Sequence, residues 1–179
     1  GVPGLGDVGP AAAKPMQEGI AILFKKLADI DVFDLELDTS DPDRFIETVR
    51  MLAPTFGAIN LKDLRAPEGL YIYDRLCDAL QIPVFHENLY STAVVAAAAL
   101  LNALDLVEKE IGSVRVILSG AGTVGIGCAR LLLRLGVHPE NLLVYDVHGL
   151  LHPGRADLND YQHVFARAQC LNTLSRMQW

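Results

Sequence analysis

Three short apolar segments set between helical spacings, a second strand-helix-strand pattern starting after residue 112, and a glycine-rich turn inside that second pattern predict an α/β protein. The first lobe is expected to be a parallel three-layer sheet lobe and the second a partial Rossmann-like lobe. The 179 residues suffice for one domain or two small lobes, and 51% hydrophobic with 21% charged residues supplies a core. Fifteen Lys and Arg against 22 Asp and Glu give a net charge of −7, with no cationic cluster denser than Lys25-Lys26. That balance argues against nucleic acid or a membrane surface as a partner.

Gly1 to Pro15 carry four Gly and three Pro and read as loop, with Pro15 in the first turn of a helix running through Leu27. Val32–Asp38 alternates apolar and acidic side chains from Phe33 onward, the period of a strand. Thr39-Ser40-Asp41-Pro42 is turn and N-cap chemistry, after which Phe45, Val49 and Leu52 share a helical face. Gly57–Leu61 reads as a strand, Pro67–Leu80 as a helix and Ile82–Phe85 as a strand. The helix from Ser91 to about Val107 is apolar nearly all round, as expected of one buried between layers. Its longest apolar run, Thr92–Leu101, is about half of the ~20 residues a bilayer requires.

After Lys109–Ser113 the pattern restarts with a strand over Val114–Leu118, a helix over Val124–Leu135 and a strand over Leu142–Tyr145 ending in Asp146. A helical stretch over Asn159–Leu174 closes the chain. The expected organisation is therefore 1–111, 112–150 and a helical tail, 151–179. Cys77, Cys128 and Cys170 form no CxxC pair and read as buried thiols of a reducing compartment. With no leader pattern at Gly1, a cytoplasmic location is expected.

Ser119-Gly120-Ala121-Gly122-Thr123-Val124-Gly125 is a GxGxxG sequence between a strand and a helix, with Asp146 ending the next strand 21 residues beyond Gly125. In that context Gly120 permits the turn, Gly122 lets backbone approach a pyrophosphate at the helix N-terminus beside Thr123 and Val124, and Gly125 lets the helix lie close to the strand. Asp146 is placed to accept hydrogen bonds from an adenosine ribose, favouring NAD over NADP. The alternative is a glycine-rich turn that binds nothing. About 30 residues follow Asp146, too few for the second mononucleotide half, so NAD binding is expected to be weak at most.

Gly4-Leu5-Gly6-Asp7-Val8-Gly9, Lys14-Pro15, Phe24-Lys25-Lys26, Asp31-Val32-Phe33-Asp34, Pro54–Leu61, Ala66-Pro67-Glu68 and Ile82–His86, followed by the GxGxxG lobe, make the chain closely resemble the bacterial malic enzymes. The resemblance runs from Gly4 to about Phe165. It implies an oligomeric α/β protein that oxidises and decarboxylates malate with NAD or NADP and a divalent metal. Residue by residue, the chain departs from that pattern. Where the family has a catalytic lysine after Glu-Gly, Glu18-Gly19 is followed by Ile20. The family's metal-holding Glu-Asp pair matches Lys62-Asp63, and a further ligand Asp matches Asn88, so no divalent metal is expected.

The candidate catalytic residues are Glu87, His86, Lys62, Asp63 and Lys14. Glu87 reads as a general base or a solvated cap residue, and His86 as a proton shuttle or a hydrogen-bonded loop histidine. Lys62 reads as an ammonium paired with Asp63 in place of the cation, or as a carboxylate binder. Lys14 reads as a ligand-pocket lysine or a solvated helix-start charge; Tyr90 and Ser91 offer hydroxyls, or Ser91 an N-cap. The favoured function is a malic-enzyme-like protein repurposed to act on or bind another small carboxylate or carbonyl compound. The alternatives are a non-catalytic dinucleotide-binding regulator or subunit, and ordinary malate oxidation. Incomplete lobes would leave apolar surface uncovered, so a homodimer is expected.

Overall fold

Residues 10–166 are described by a computed structural model, and the chain divides between His86 and Glu87 into two units. In the first, helix α1 spans Pro10–Ala28, α2 Pro42–Leu52, strand β1 Ile59–Leu61, α3 Glu68–Ala79 and β2 Val84–His86. β1 and β2 pair in parallel, Ile59 opposite Val84 and Leu61 opposite His86. Phe45, Ile46 and Val49 of α2 close over Leu61, Leu64, Ile72 and Leu76, so that β1 and α3 share one apolar core with α2. α2 begins where turn chemistry places it: Asp41 has extended backbone and its side chain accepts from the N–H groups of Asp43 and Arg44. Asp41→Ala is expected to destabilise the unit by about 1 kcal/mol, read from its urea unfolding curve.

In the second unit α4 spans Glu87–Leu106, β3 Val116–Ser119, α5 Thr123–Leu135, β4 Leu142–Asp146, β5 Gly149–Leu150 and α6 Asp160–His163. β3 and β4 are parallel, joined through α5, and β5 turns back antiparallel on β4. An α/β fold with parallel strands followed by a partial Rossmann-like lobe therefore stands.

Several elements differ from the expectation, each for a physical reason. Val32–Asp38 forms no strand, because no described segment supplies a ladder partner, and among the described residues the first sheet has two strands. That extended stretch is pinned instead by Asp34 on Lys14 and by Phe33 against the Phe56 ring, with centroids 6.1 Å apart. α1 starts at Pro10, so Ala11–Ala13, strong helix formers, are helical and Pro15 lies inside the helix. α4 starts at Glu87, directly off β2, so Ser91 is no N-cap: its hydroxyl donates to the Glu87 carbonyl one turn back.

α4 is also not buried all round. Leu89, Ala93, Ala97 and Leu104 are buried, whereas Val94, Val95, Leu101 and Leu106 are exposed. At 20 residues it is long and apolar enough to cross a bilayer by length and composition, and most of it is not buried. The boundary expected at 111 lies instead before α4, because α4 packs on α5: a Cβ on Gly127 would overlap the Leu89 carbonyl. Cys128 is a buried thiol, but Cys77, in the last turn of α3, is exposed. Cys170, the Gly4–Gly9 sequence and the tail helix beyond 166 lie outside the described residues. Within the tail, α6 is four residues long, started by the Asn159 and Gln162 capping box.

Candidate functional site

In the second unit, the strand-turn-helix places the fingerprint residues around one turn. Gly120 takes φ +121°, a conformation side chains disfavour, and donates its N–H to the Tyr145 carbonyl at 2.8 Å. A Cβ on Gly125 would overlap the Gly120 carbonyl, so this glycine does let the helix close on the turn. Gly122 faces open space: a Cβ there meets no atom within 4 Å. The first N–H groups of α5, from Thr123 and Val124, sit at the helix end where no intrahelical acceptor exists. That cradle fits a dinucleotide pyrophosphate, which the helix end and its dipole would hold. Gln162, a residue the sequence did not single out, supports the turn from behind by donating to the Ala121 carbonyl at 3.3 Å.

Because Ser119 and Tyr145 are register partners, Asp146, the last residue of β4, lies one position beyond the end of β3, where the glycine turn begins. It is already engaged. Arg155 grips it with two bonds, Nη1 to Oδ1 at 2.8 Å and Nη2 to Oδ2 at 2.7 Å, and the His148 backbone N–H adds a third to Oδ1 at 2.8 Å. From the loop beyond the β4–β5 hairpin Arg155 holds Asp157 as well, through Nε at 3.0 Å and Nη2 at 2.6 Å. This triad was not read from the sequence, although Gly154-Arg155-Ala156-Asp157 follows Asp146 closely enough for the pairing to be sought.

The Arg155 guanidinium holds the Asp146 carboxyl below its ordinary value and draws that of Asp157 down to about 2. A carboxyl depressed on folding stabilises fully above its unfolded pKa of about 4 and loses that contribution as the pH falls through its folded value. Thermal melts of the wild type and Asp157→Asn are therefore expected to diverge above pH 4 and to converge between about pH 4 and pH 2.

Of the other candidates, Lys14, Lys62, Asp63 and His86 lie in the first unit and Glu87 in the second. Lys14 donates to Asp34 at 2.9 Å, and that carboxylate raises the lysine's pKa. Asp63, just after β1, has left-handed backbone at φ 55° and accepts from Gln17 of α1 at 3.2 Å. Gln17, also missed in the sequence, precedes Glu18-Gly19 by one residue. Helical spacing puts Lys14, Gln17 and Ile20 along one side of α1, so Ile20 follows one turn beyond the residue that holds Asp63. Lys62 is half-buried beside Asp63. His86 is fully buried at the end of β2, its ring edge-on to Tyr73 with centroids 6.1 Å apart. Glu87 opens α4, so it is a first-turn helix residue, not a loop glutamate.

These features define an α/β protein whose second unit carries the turn and strand-end acid of the dinucleotide-binding class. Residues 1–77 match the family model described as malic enzyme, N-terminal domain, and residues 89–174 that of malic enzyme, NAD binding domain. The chain belongs to the malic enzyme family. Over 152 residues it is 51% identical to the NADP-dependent malic enzyme of Escherichia coli, covering 85% of this chain and 20% of that protein. Over 165 residues it is 46% identical to an NAD-dependent malic enzyme of Rhizobium meliloti, covering 92% of this chain and 21% of that protein. The crystal structure of the NAD-dependent malic enzyme of Thermotoga maritima superposes with a TM-score of 0.84 at 44% identity, covering 91% of this chain and 43% of that one. The chain thus spans about a fifth of the length of these two curated relatives. Relatives of both cofactor classes match it closely, so membership of the family does not itself choose between NAD and NADP.

Proposed function

We propose that this chain is a malic-enzyme-like protein repurposed to bind, or act on, another small carboxylate or carbonyl compound, without metal-dependent oxidation of malate. The observation that carries the reading is the pairing of Asp63 with Gln17. It sets α1 alongside Asp63, and what α1 offers there is an amide and, one turn on, the hydrocarbon of Ile20. An amine at that place would move a proton; a butyl group does not.

The donor set also fits a divalent cation poorly. Mg²⁺ and Mn²⁺ require several oxygen ligands with enough negative charge to displace water. Asp63 follows Lys62, whose ammonium repels a cation, and one Asp63 oxygen already accepts from Gln17. Among the described residues no three His, Cys, Asp or Glu side chains come together as a metal site.

The dinucleotide cradle, by contrast, fits its ligand. Gly122, Thr123 and Val124 would hold the pyrophosphate, and Asp146 the ribose. A bound dinucleotide would supply a hydride acceptor. The same cradle also supports the second reading, a non-catalytic dinucleotide-binding subunit. The exposed valines and leucines of α4 favour self-association, with the homodimer as the proposed state.

The test is to incubate the purified 179-residue chain with malate, Mn²⁺ and NAD or NADP, and to titrate Mn²⁺ by calorimetry. No nucleotide reduction and no micromolar Mn²⁺ binding are expected. Turnover that disappears in Asp63→Ala would restore the ordinary family reaction, and light scattering on the same sample reads the oligomeric state.

A further inference from the structure

Arg155 has no donor to spare. Its five N–H groups are all occupied: Nε by Asp157, the Nη1 pair by Asp146 and the Gly149 carbonyl at 3.3 Å, and the Nη2 pair by Asp146 and Asp157. The two carboxylates lie on two different edges of the guanidinium. The Asp146 edge is inward, with the Arg155 and Asp146 side chains 10% and 14% exposed, while Asp157 covers the outward edge and is itself 53% exposed.

An arginine beside the strand-end acid is the usual means by which a Rossmann-type site accepts the 2′-phosphate of NADP, because its fork matches phosphate oxygens in a bidentate way. Here that outward fork is filled by a carboxylate from the chain itself. The three charges sum to one negative charge, Asp146 and Asp157 against Arg155, so the patch repels a phosphate as well as offering it no donor.

We propose that Asp157 is a positioning residue that sets the choice of dinucleotide, by occupying the edge of Arg155 that would otherwise grip a 2′-phosphate. The inference rests on the reading of the glycine turn as a dinucleotide site. It gives a role to a residue outside the fingerprint, on a loop beyond the β4–β5 hairpin. Removing the Asp157 carboxylate frees Nε and one Nη2 hydrogen as an adjacent, outward-facing pair. Asp146 and the Gly149 carbonyl still hold the rest of the guanidinium in place.

The experiment is calorimetric titration of NAD and of NADP into the full chain, comparing the wild type with Asp157→Ala and with the double variant Arg155→Ala/Asp157→Ala. The wild type is expected to favour NAD. In Asp157→Ala the ratio of NADP to NAD affinity is expected to rise about tenfold, the size of one new hydrogen bond to a charged group. In the double variant that gain should vanish, since no guanidinium remains to take the phosphate. A purely structural role for Asp157 would weaken both nucleotides alike and leave the ratio unmoved, which would overturn the inference and leave the dinucleotide site intact. A wild type that already binds NADP as tightly as NAD would overturn it too. If the wild type binds neither, the dinucleotide reading falls, and this inference with it.

Discussion

Gly127→Val is expected to abolish cooperative folding of the second unit. A Cβ at this position would overlap the Leu89 carbonyl oxygen and come within 3.1 Å of the Leu89 side chain, so α4 and α5 approach each other backbone to backbone here. Neither neighbour can yield locally, because the obstructing atom is a main-chain oxygen in the first turn of α4 and not the far end of a flexible side chain. The helices must separate, and the contacts of Leu89 and Ala93, both essentially inaccessible to solvent, are lost with them. Overpacking alone typically costs 1–3 kcal/mol, and with loss of helix-helix burial the total should exceed about 4 kcal/mol. That is a large fraction of the roughly 5–15 kcal/mol that holds a domain together. Gly19→Ala is the matched control: a Cβ on Gly19 meets nothing within 4 Å, and in mid-helix the change should stabilise by roughly 0.5–1 kcal/mol. Urea unfolding followed by circular dichroism separates the two, and a Gly127 variant with an unchanged midpoint would refute the close crossing.

Local chemistry was legible in the sequence where the signal is local. The N-cap at Asp41, the helix it starts and the strand-glycine-helix passage through Gly120 and Gly125 all depend on residues within a turn of one another. What failed needed a partner further away. The alternation of Val32–Asp38 states which side chains share a face, but a strand also needs a neighbour to bond, and none is supplied among the described residues. Ser91 is a good cap in isolation, and only the passage of β2 straight into Glu87 shows that α4 is already under way four residues earlier. Arg155 was hidden for a similar reason: it reaches Asp146 across nine positions because the chain reverses at β5. Gly127 carries no motif at all. Its role exists only where two helices cross, and the same crossing moved the boundary between the units away from the loop chemistry at Lys109–Ser113.

Gly122→Val is expected to leave the fold alone and remove dinucleotide binding, the opposite of the result at Gly127. The backbone at Gly122 has φ −84° and ψ −165°, an extended conformation that any residue adopts, so valine introduces no strain. Nothing lies within 4 Å of the added Cβ, so the side chain enters open space. The variant's stability should therefore fall by no more than about 1 kcal/mol, the cost of exchanging glycine for an aliphatic residue at a helix N-cap. The open space is the one in which a pyrophosphate would meet the N-terminus of α5, and a branched side chain there fills it while the helix end and its N–H groups remain in place. NAD affinity is expected to fall at least about a hundredfold, equivalent to roughly 2.7 kcal/mol. The contrast with Gly125 sharpens the test, since a Cβ there would overlap the Gly120 carbonyl and disturb the turn itself. Calorimetric titration with NAD, paired with a melting curve on the same sample, reads both effects. Wild-type affinity in Gly122→Val would move the nucleotide away from this turn, and a large drop in melting temperature would show that the space in front of Gly122 is not open.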